Sequence, residues 1–401
     1  MDVNRLIELN NLARESGKKA PLRRAQYASV AAHTDRTFLG LLGPRGVGKT
    51  ILLKQLLANS TDGFYLSVDS LDDDTDLFAL VQELKQNYKF NTFFLDEVHY
   101  LKEINKFLKL IFDNLQVRVI FTSSVALQLV ESAHDLSRRV KILPLPTFSF
   151  IEFLKFNNLP LASALSWEEI LGGKFSAEHT AAFPYFQRYV SGGNYPFSLE
   201  VSDVLSALQS NLDKIVQFDI PRLKSLATEE LPLIRKTFKF IARAPGCDIN
   251  PNVISNNLKI TRYKAEQYVR LLESAFVLRQ IFPAGTNVMK EPKILCGIPY
   301  RLLENTFEDC VGGLREDFAV SCMVDAGLEV EYLKGPRGAK TPDFLVHDKK
   351  KSVIVEIGGA NKGAAQFKGI SPHYPRIIFA DRPDAKKGAL PLSLLGYLRP
   401  E

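Results

Sequence analysis

The chain has 401 residues, 46% hydrophobic and 24% charged, with a formal net charge of +6. This composition suits two or three globular domains and excludes a disordered or collagen-like chain. No apolar run approaches the roughly 18–20 residues that span a bilayer, and the N-terminal segment lacks the charged-then-apolar order of a signal peptide, so a cytoplasmic protein without membrane contact is expected.

The first predicted strand, residues 38–42, runs directly into Gly43-Pro44-Arg45-Gly46-Val47-Gly48-Lys49-Thr50. A helix-like segment follows with Ile51, Leu52, Leu53, Leu56 and Leu57. Strand, GxxxxGK[ST] loop and helix in this order read as a phosphate-binding P-loop. Glycines let backbone N–H groups curl around phosphate oxygens, and the helix N-terminus adds partial positive charge. Lys49 reaches the β- and γ-phosphates, and the Thr50 hydroxyl is a Mg²⁺ ligand. ATP with Mg²⁺ is therefore the expected ligand, contacted by residues 43–51.

Residues 64–68 predict a second strand, closed by Asp69 as a supporting or capping acid. Phe93-Phe94-Leu95-Asp96-Glu97 is a continuous apolar run ending in two acids, as a parallel strand buried on both faces would be. Asp96 is placed for the Mg²⁺ shell and Glu97 for general-base activation of water; the plainer reading is a strand with solvated acids at its end. Residues 117–122 predict another strand ending in Ser123-Ser124, where a hydroxyl either senses the γ-phosphate or caps a turn. Arg138-Arg139 precede a strand at residues 140–143. They are either surface charges or an arginine finger for a neighbouring copy, which implies a homo-oligomer. The alternation predicts an α/β fold with a parallel sheet and helices on both faces.

The Pro-rich stretch at residues 144–153 breaks this alternation, so residues 1–150 are assigned to the nucleotide domain. Residues 151–230 are expected to form a helical lid, in which Gly192-Gly193-Asn194-Tyr195-Pro196 either meets the nucleotide or is a bare turn. Within residues 231–300, a short helix at 253–258 follows Asn250-Pro251-Asn252. Thr261 caps a helix at 262–274 with Tyr268, Leu271 and Leu272 on its inner face, and a strand at 276–282 follows. This is a winged helix-turn-helix pattern, suited to double-stranded DNA through Arg262, Lys264 and Arg270, or to a protein partner. The basic groups Lys18-Lys19, Arg23-Arg24, Lys349-Lys350-Lys351 and Lys386-Lys387 read as solvated faces or as nucleic-acid contacts. The four cysteines, Cys247, Cys296, Cys310 and Cys322, contain no CxxC pair and are expected as reduced thiols.

Residues 301–401 carry Thr341-Pro342-Asp343 before one strand-like run and Glu356 within the next, a hairpin with acids near its ends. This resembles the PD-(D/E)xK nuclease core, which implies that Glu316, Asp343 and Glu356 surround Mg²⁺. The lysine of that motif is replaced by Gly358, and Lys362 lies in a register that does not readily replace it, so a degenerate site without nuclease activity is expected.

Residues 43–50, 94–99, 121–124, 137–139, 144–153, 192–196 and 312–318 together resemble a prokaryotic family of AAA-type P-loop ATPases with a winged helix and a C-terminal nuclease-like domain of unknown function. The resemblance implies Mg²⁺-dependent ATP hydrolysis coupled to movement of the winged-helix and C-terminal regions. A nucleotide-gated DNA- or protein-binding module with little turnover, and an ATP-regulated nuclease, remain the alternatives.

Overall fold

The computed structural model describes residues 3–72, 74–126, 136, 138–224, 226–244, 249–285, 291–333, 341–363, 367, 374–386 and 388–399. Ser137, Cys247 and Lys387 therefore lie outside the described residues. The chain forms two compact units. The first is Met1–Thr147, Asn211–Thr228 and Ser274–Phe276; the second is Phe148–Ser210, Glu229–Glu273 and Val277–Glu401. Residues 151–230 thus divide between the two units.

In the first unit, β1 (Phe38–Leu42), β2 (Gly63–Ser67), β3 (Thr92–Asp96), β4 (Arg118–Ser123) and β5 (Val140–Pro144) form a sheet in the order β2-β3-β4-β1-β5. Every pairing is parallel. β1 and β3 are buried along their whole length, which is why their sequences are apolar without alternation. The helices Lys49–Ala58, Leu77–Tyr88 and Ile104–Asn114 supply the crossovers that parallel strands require. Because β1, β3 and β4 run parallel in register, their C-terminal ends meet on one edge of the sheet. That edge gathers residues 43–50, 96–97 and 122–124.

A helix at Val3–Lys18, absent from the sequence reading, packs on the helix Lys49–Ala58. Gly17 permits the close crossing, since a Cβ there would stand 2.0 Å from the Lys54 carbonyl oxygen. Arg14 donates to the carbonyls of Leu57, Ser60 and Gly63. Arg24, expected on a solvated face, is buried instead. It donates to the Val47 carbonyl inside the P-loop at 2.6 Å and to the Pro146 carbonyl at 2.9 Å. Carbonyl oxygens thus replace the water its charge would otherwise require.

The second unit contains the helices Glu230–Arg243, Pro251–Leu258 and Arg262–Ser274 up to Glu273, and an antiparallel pair, β6 (Leu278–Ile281) with β7 (Lys293–Cys296). Asn250 accepts from the Val253 N–H at 3.0 Å with Pro251 in the first helical turn, and Thr261 accepts from the Lys264 N–H at 3.2 Å. The strand expected from residue 276 starts later, because Phe276 has a left-handed backbone with φ 61°. Next come β8 (Glu329–Tyr332), β9 (Phe344–His347), β10 (Ser352–Gly359), β11 (Arg376–Asp381) and β12 (Ala389–Pro391). They form a mixed sheet in the order β12-β11-β10-β9-β8, antiparallel from β8 to β10 and parallel from β10 to β12. The helix Phe307–Asp325 shares a core with this sheet through Phe318, Val320, Met323, Val353 and Val355. The overall class is α/β. Among the described residues no helix is long and apolar enough to cross a membrane. Cys296, Cys310 and Cys322 are free thiols, and burial pushes the first two up, to about 12 and about 11.

One buried ion pair ties this unit together. Arg301 Nε donates to Asp317 Oδ2 at 2.6 Å, and both side chains are buried. Asp317 Oδ1 also accepts from the Cys296 N–H at 3.1 Å, and Arg301 Nη1 donates to the Ala244 carbonyl at 3.0 Å. Removing one partner leaves a buried charge uncompensated. Asp317→Ala should therefore lower unfolding free energy by roughly 3–5 kcal/mol in a denaturant titration.

Candidate functional site

The P-loop leaves β1 and enters the helix Lys49–Ala58 at the edge where β3 and β4 end. Gly46 and Gly48 both have φ 87°, a left-handed backbone that turns the loop's N–H groups inward and that a side chain would strain. Lys49 is buried, and its Nζ donates to the carbonyls of Gly43 at 2.9 Å and Pro44 at 3.0 Å. Burial holds Lys49 below the ordinary lysine value against the pull of Glu97 and Asp96. Thr50 is half-buried at the helix start, whereas Ile51 is 43% exposed.

At the end of β3, Asp96 is buried and both its oxygens are engaged. Tyr65 on β2 donates its hydroxyl to Oδ2 at 2.8 Å, and Thr122 on β4 donates its hydroxyl to Oδ1. The same Thr122 oxygen accepts the Glu97 N–H at 3.0 Å. Glu97 takes a left-handed backbone, φ 53° and ψ 46°, which costs roughly 1–2 kcal/mol for a residue with a side chain. Burial raises the Glu97 carboxyl, but Lys49, His99 and Arg45 outweigh it and hold the group below the usual glutamate value. It is therefore ionised near neutrality, the state a general base requires.

Arg45 points away from the loop to Asp219, with Nη2 2.9 Å from both carboxylate oxygens and Nε 3.2 Å from Oδ2. Asp219 is completely buried and lies on a π-helical turn, Ile215–Asp219. The Tyr100 hydroxyl donates to Asp219 Oδ1 at 3.2 Å, and Arg222 donates to the Tyr100 carbonyl at 2.9 Å. Sequence reasoning missed Asp219, Thr122, Tyr65 and His99. Thr122 was the legible one, standing one residue before the chosen serines.

Ser123 and Ser124 are buried at the tip of β4. The Ser123 hydroxyl donates to the Val125 carbonyl at 2.6 Å and accepts the Val125 N–H at 3.1 Å, which ties its own turn. Ser124 Oγ stands 3.4 Å from His99 Nε2. Arg139 lies where β5 begins, its carbonyl accepting from the Phe38 N–H at 2.8 Å. This is the opposite end of β1 from the P-loop, about 13 Å away at the rise of a strand. Arg139 pairs with Asp113 at 2.9 Å, and Arg138 is exposed. Asp69 is exposed and accepts from Ser67 Oγ at 2.6 Å.

In the second unit, the register Val355↔Phe344 sets Asp343 beside Glu356, and Asp343 accepts the Ile357 N–H at 2.7 Å. Glu316 on the helix Phe307–Asp325 lies 3.9 Å from Lys293 Nζ. Among the described residues no three His, Cys, Asp or Glu side chains cluster closely enough to hold a metal ion. Lys362 does reach the site, contrary to the register argument. Its Nζ is 2.5 Å from Glu356 Oε1, because the chain turns after β10. Its stem fills the space beside Gly358, where a Cβ would stand 2.4 Å from Lys362 Cδ. Gly192 to Pro196 include a π-helical turn, and buried Asn194 donates to the Ile298 carbonyl at 3.0 Å.

Residues 35–154 match the family described as an AAA domain, and residues 184–296 match a domain of unknown function (DUF8612). Residues 35–154 form an AAA-type P-loop domain. Every first-unit site residue from Gly43 to Arg139 falls within that match; Asp219 lies outside it. An uncharacterized protein of Methanocaldococcus jannaschii is 26% identical over 364 residues, covering 81% of this chain and 76% of that protein. Among solved structures, the Aeropyrum pernix ORC1 protein in complex with DNA aligns with a TM-score of 0.32 at 13% identity, over 75% of this chain and 94% of that chain. C. elegans PCH-2 aligns with a TM-score of 0.24 at 14% identity, over 68% of each chain.

Burial, and then Asp343, push the Glu356 carboxyl up from 4.5 to about 7 despite Lys362. A raised acid contributes stability while protonated and loses it as pH rises through the folded value. At 1.36 kcal/mol per pKa unit the loss between pH 4.5 and about 7 is on the order of 3 kcal/mol. Glu356→Gln should therefore unfold at a higher temperature than wild type at pH 8, with the difference shrinking toward pH 5.

Proposed function

We propose that the AAA-type domain is a Mg²⁺-dependent ATPase and that nucleotide state controls the helical and C-terminal regions. The arrangement carrying this reading is Thr122, which holds Asp96 and Glu97 together at the edge where the P-loop begins. The loop N–H groups and Lys49 bind the phosphates, with Lys49 exchanging its two loop carbonyls for phosphate oxygens. The hydroxyl of Thr50 and the carboxylate of Asp96 are hard oxygen donors that fit Mg²⁺. Once bound, Mg²⁺ neutralises charge on the β- and γ-phosphate oxygens. Glu97 takes a proton from water as the water oxygen bonds to the γ-phosphorus. The bridging oxygen then leaves with ADP. Ser124 at the tip of β4 is a candidate sensor, and Arg138 or Arg139 would act on the site of a second copy.

The helices Pro251–Leu258 and Arg262–Ser274 with the β6–β7 pair read as a winged helix-turn-helix. On the second helix Arg270 and Tyr263 are exposed, whereas Arg262 pairs with Glu266 at 2.8 Å and Lys264 with Glu230 at 3.3 Å. Double-stranded DNA is the partner to test first. For the C-terminal sheet we propose binding without cleavage, because lysines occupy Glu316 and Glu356 where a shared cation would otherwise sit. A second reading, a nucleotide-gated binding module with little turnover, draws on the burial of Glu97 Oε2.

Steady-state hydrolysis with a nucleotide-binding titration separates these readings. Lys49→Ala should lose nucleotide binding and turnover together. Glu97→Gln should keep binding and lose at least about a hundredfold in kcat. Wild-type binding without turnover would select the gated module. Turnover that rises with added duplex DNA would support the DNA partner, and an unchanged rate would count against it. Incubation of the wild type with Mg²⁺ and single- or double-stranded DNA or RNA should leave the nucleic acid intact; cleavage lost in Asp343→Ala would overturn the binding-only assignment.

A further inference from the structure

Between Glu97 and Asp219 stands one buried imidazole. His99 Nδ1 is 3.4 Å from Glu97 Oε2, and His99 Nε2 is 3.8 Å from Asp219 Oδ1 and 3.4 Å from Ser124 Oγ. The ring is 3% exposed and leans on Tyr100 with centroids 4.7 Å apart. Glu97 Oε2 and His99 Nδ1 are both buried, and neither has a hydrogen-bond partner among the described residues. Two unsatisfied polar atoms facing each other inside a protein are costly apart and favourable once joined. Closing 3.4 Å to a hydrogen bond needs only a small rotation, of the kind catalytic groups make when substrate arrives.

We propose that His99 is a positioning residue for ATP hydrolysis, fixing the Glu97 carboxylate toward the attacking water, and that Asp219 holds His99 in place while clamping Arg45 of the P-loop. The proposal rests on the ATPase reading and deepens it. It makes the four residues one chain of alternating charge and polarity, Arg45–Asp219–His99–Glu97. Asp219 Oδ1 serves both ends, since Arg45 and Tyr100 donate to it and His99 Nε2 stands 3.8 Å from it. The groups facing His99 are Glu97, Asp219, Ser124 and Tyr100, and Arg45 lies one contact beyond. The geometry also explains why a π-helical turn far along the chain returns to this edge. An extra residue in a helical turn re-aims a side chain, and here the re-aimed side chain is a completely buried acid.

The test is a split between binding and turnover in the full-length protein. The probes are ATP for turnover and a fluorescent ADP analogue for binding. His99→Leu should lower kcat about ten- to hundredfold, the range for loss of a residue that orients another functional group, with analogue affinity within about twofold of wild type. His99→Asn places an amide N–H near the Nδ1 position and should recover most of that loss. Asp219→Asn removes the charge without emptying the space. It should lower kcat in the same direction and carries the test should the leucine variant fail to fold. Equal impairment of His99→Leu and His99→Asn would reduce the ring to packing and overturn the proposal. So would unchanged kcat in His99→Leu and Asp219→Asn while Glu97→Gln is inactive. If Lys49→Ala and Glu97→Gln turn over at the wild-type rate, the ATPase site assignment itself fails, a result distinguishable from either of these.

Discussion

One hydroxyl joins the two acids of the site. Thr122 donates to Asp96 and accepts the N–H of Glu97, so the last residue of β3 and the residue that follows it are oriented by a residue on β4. Without that link the left-handed backbone at Glu97 would have no compensating hydrogen bond at its own N–H. The turn after β3 can hold Glu97 in this conformation only because β3 and β4 are parallel and in register, with Leu95 opposite Phe121. Tyr65 extends the same logic to β2, so three adjacent strands meet at one carboxylate. The remaining elements supply the crossovers and the burial that keep this edge in place.

The first unit is not built from a continuous stretch of chain. Asn211–Thr228 returns to it and delivers Asp219, the buried partner of Arg45. Burial alone would raise the Asp219 carboxyl, but the facing His99 and the charge and hydrogen bonds of Arg45 hold it below the usual aspartate value. An acid so placed is costly to separate from its partners. The P-loop arginine is therefore anchored by a residue that lies more than a hundred positions beyond the P-loop, outside the matched AAA span.

How much was legible depends on range. The strands β1, β3, β4 and β5, the P-loop and Asp96-Glu97 announce themselves through local pattern: continuous apolar runs, glycine spacing and acids at a strand end. The helix Arg262–Ser274 was readable from its cap, Thr261, and its inner face of Tyr268, Leu271 and Leu272. The misses are non-local or conformational. Nothing near Arg24 announces that its charge will be buried on carbonyls from residues 47 and 146. Nothing around Asp219 distinguishes it from any exposed helical acid, because its role depends on Arg45 and Tyr100. Phe276 shortened β6 through a positive φ that no composition rule assigns to a phenylalanine.

Lys362 shows where linear spacing fails. A motif written as a register on one strand assumes that the side chain must come from that strand. In β10 the position after Ile357 is Gly358, and the empty volume beside it is filled by the stem of a lysine from the following turn. The lysine's charge then lowers the cost of a carboxylate buried beside a second acid, without cancelling it, since Glu356 still sits near 7. Space, not register, decides which residue meets Glu356. The same holds in the first unit, where space between Glu97 and Asp219 is filled by His99. In both units a buried carboxylate is matched by a side chain from the turn that follows its strand.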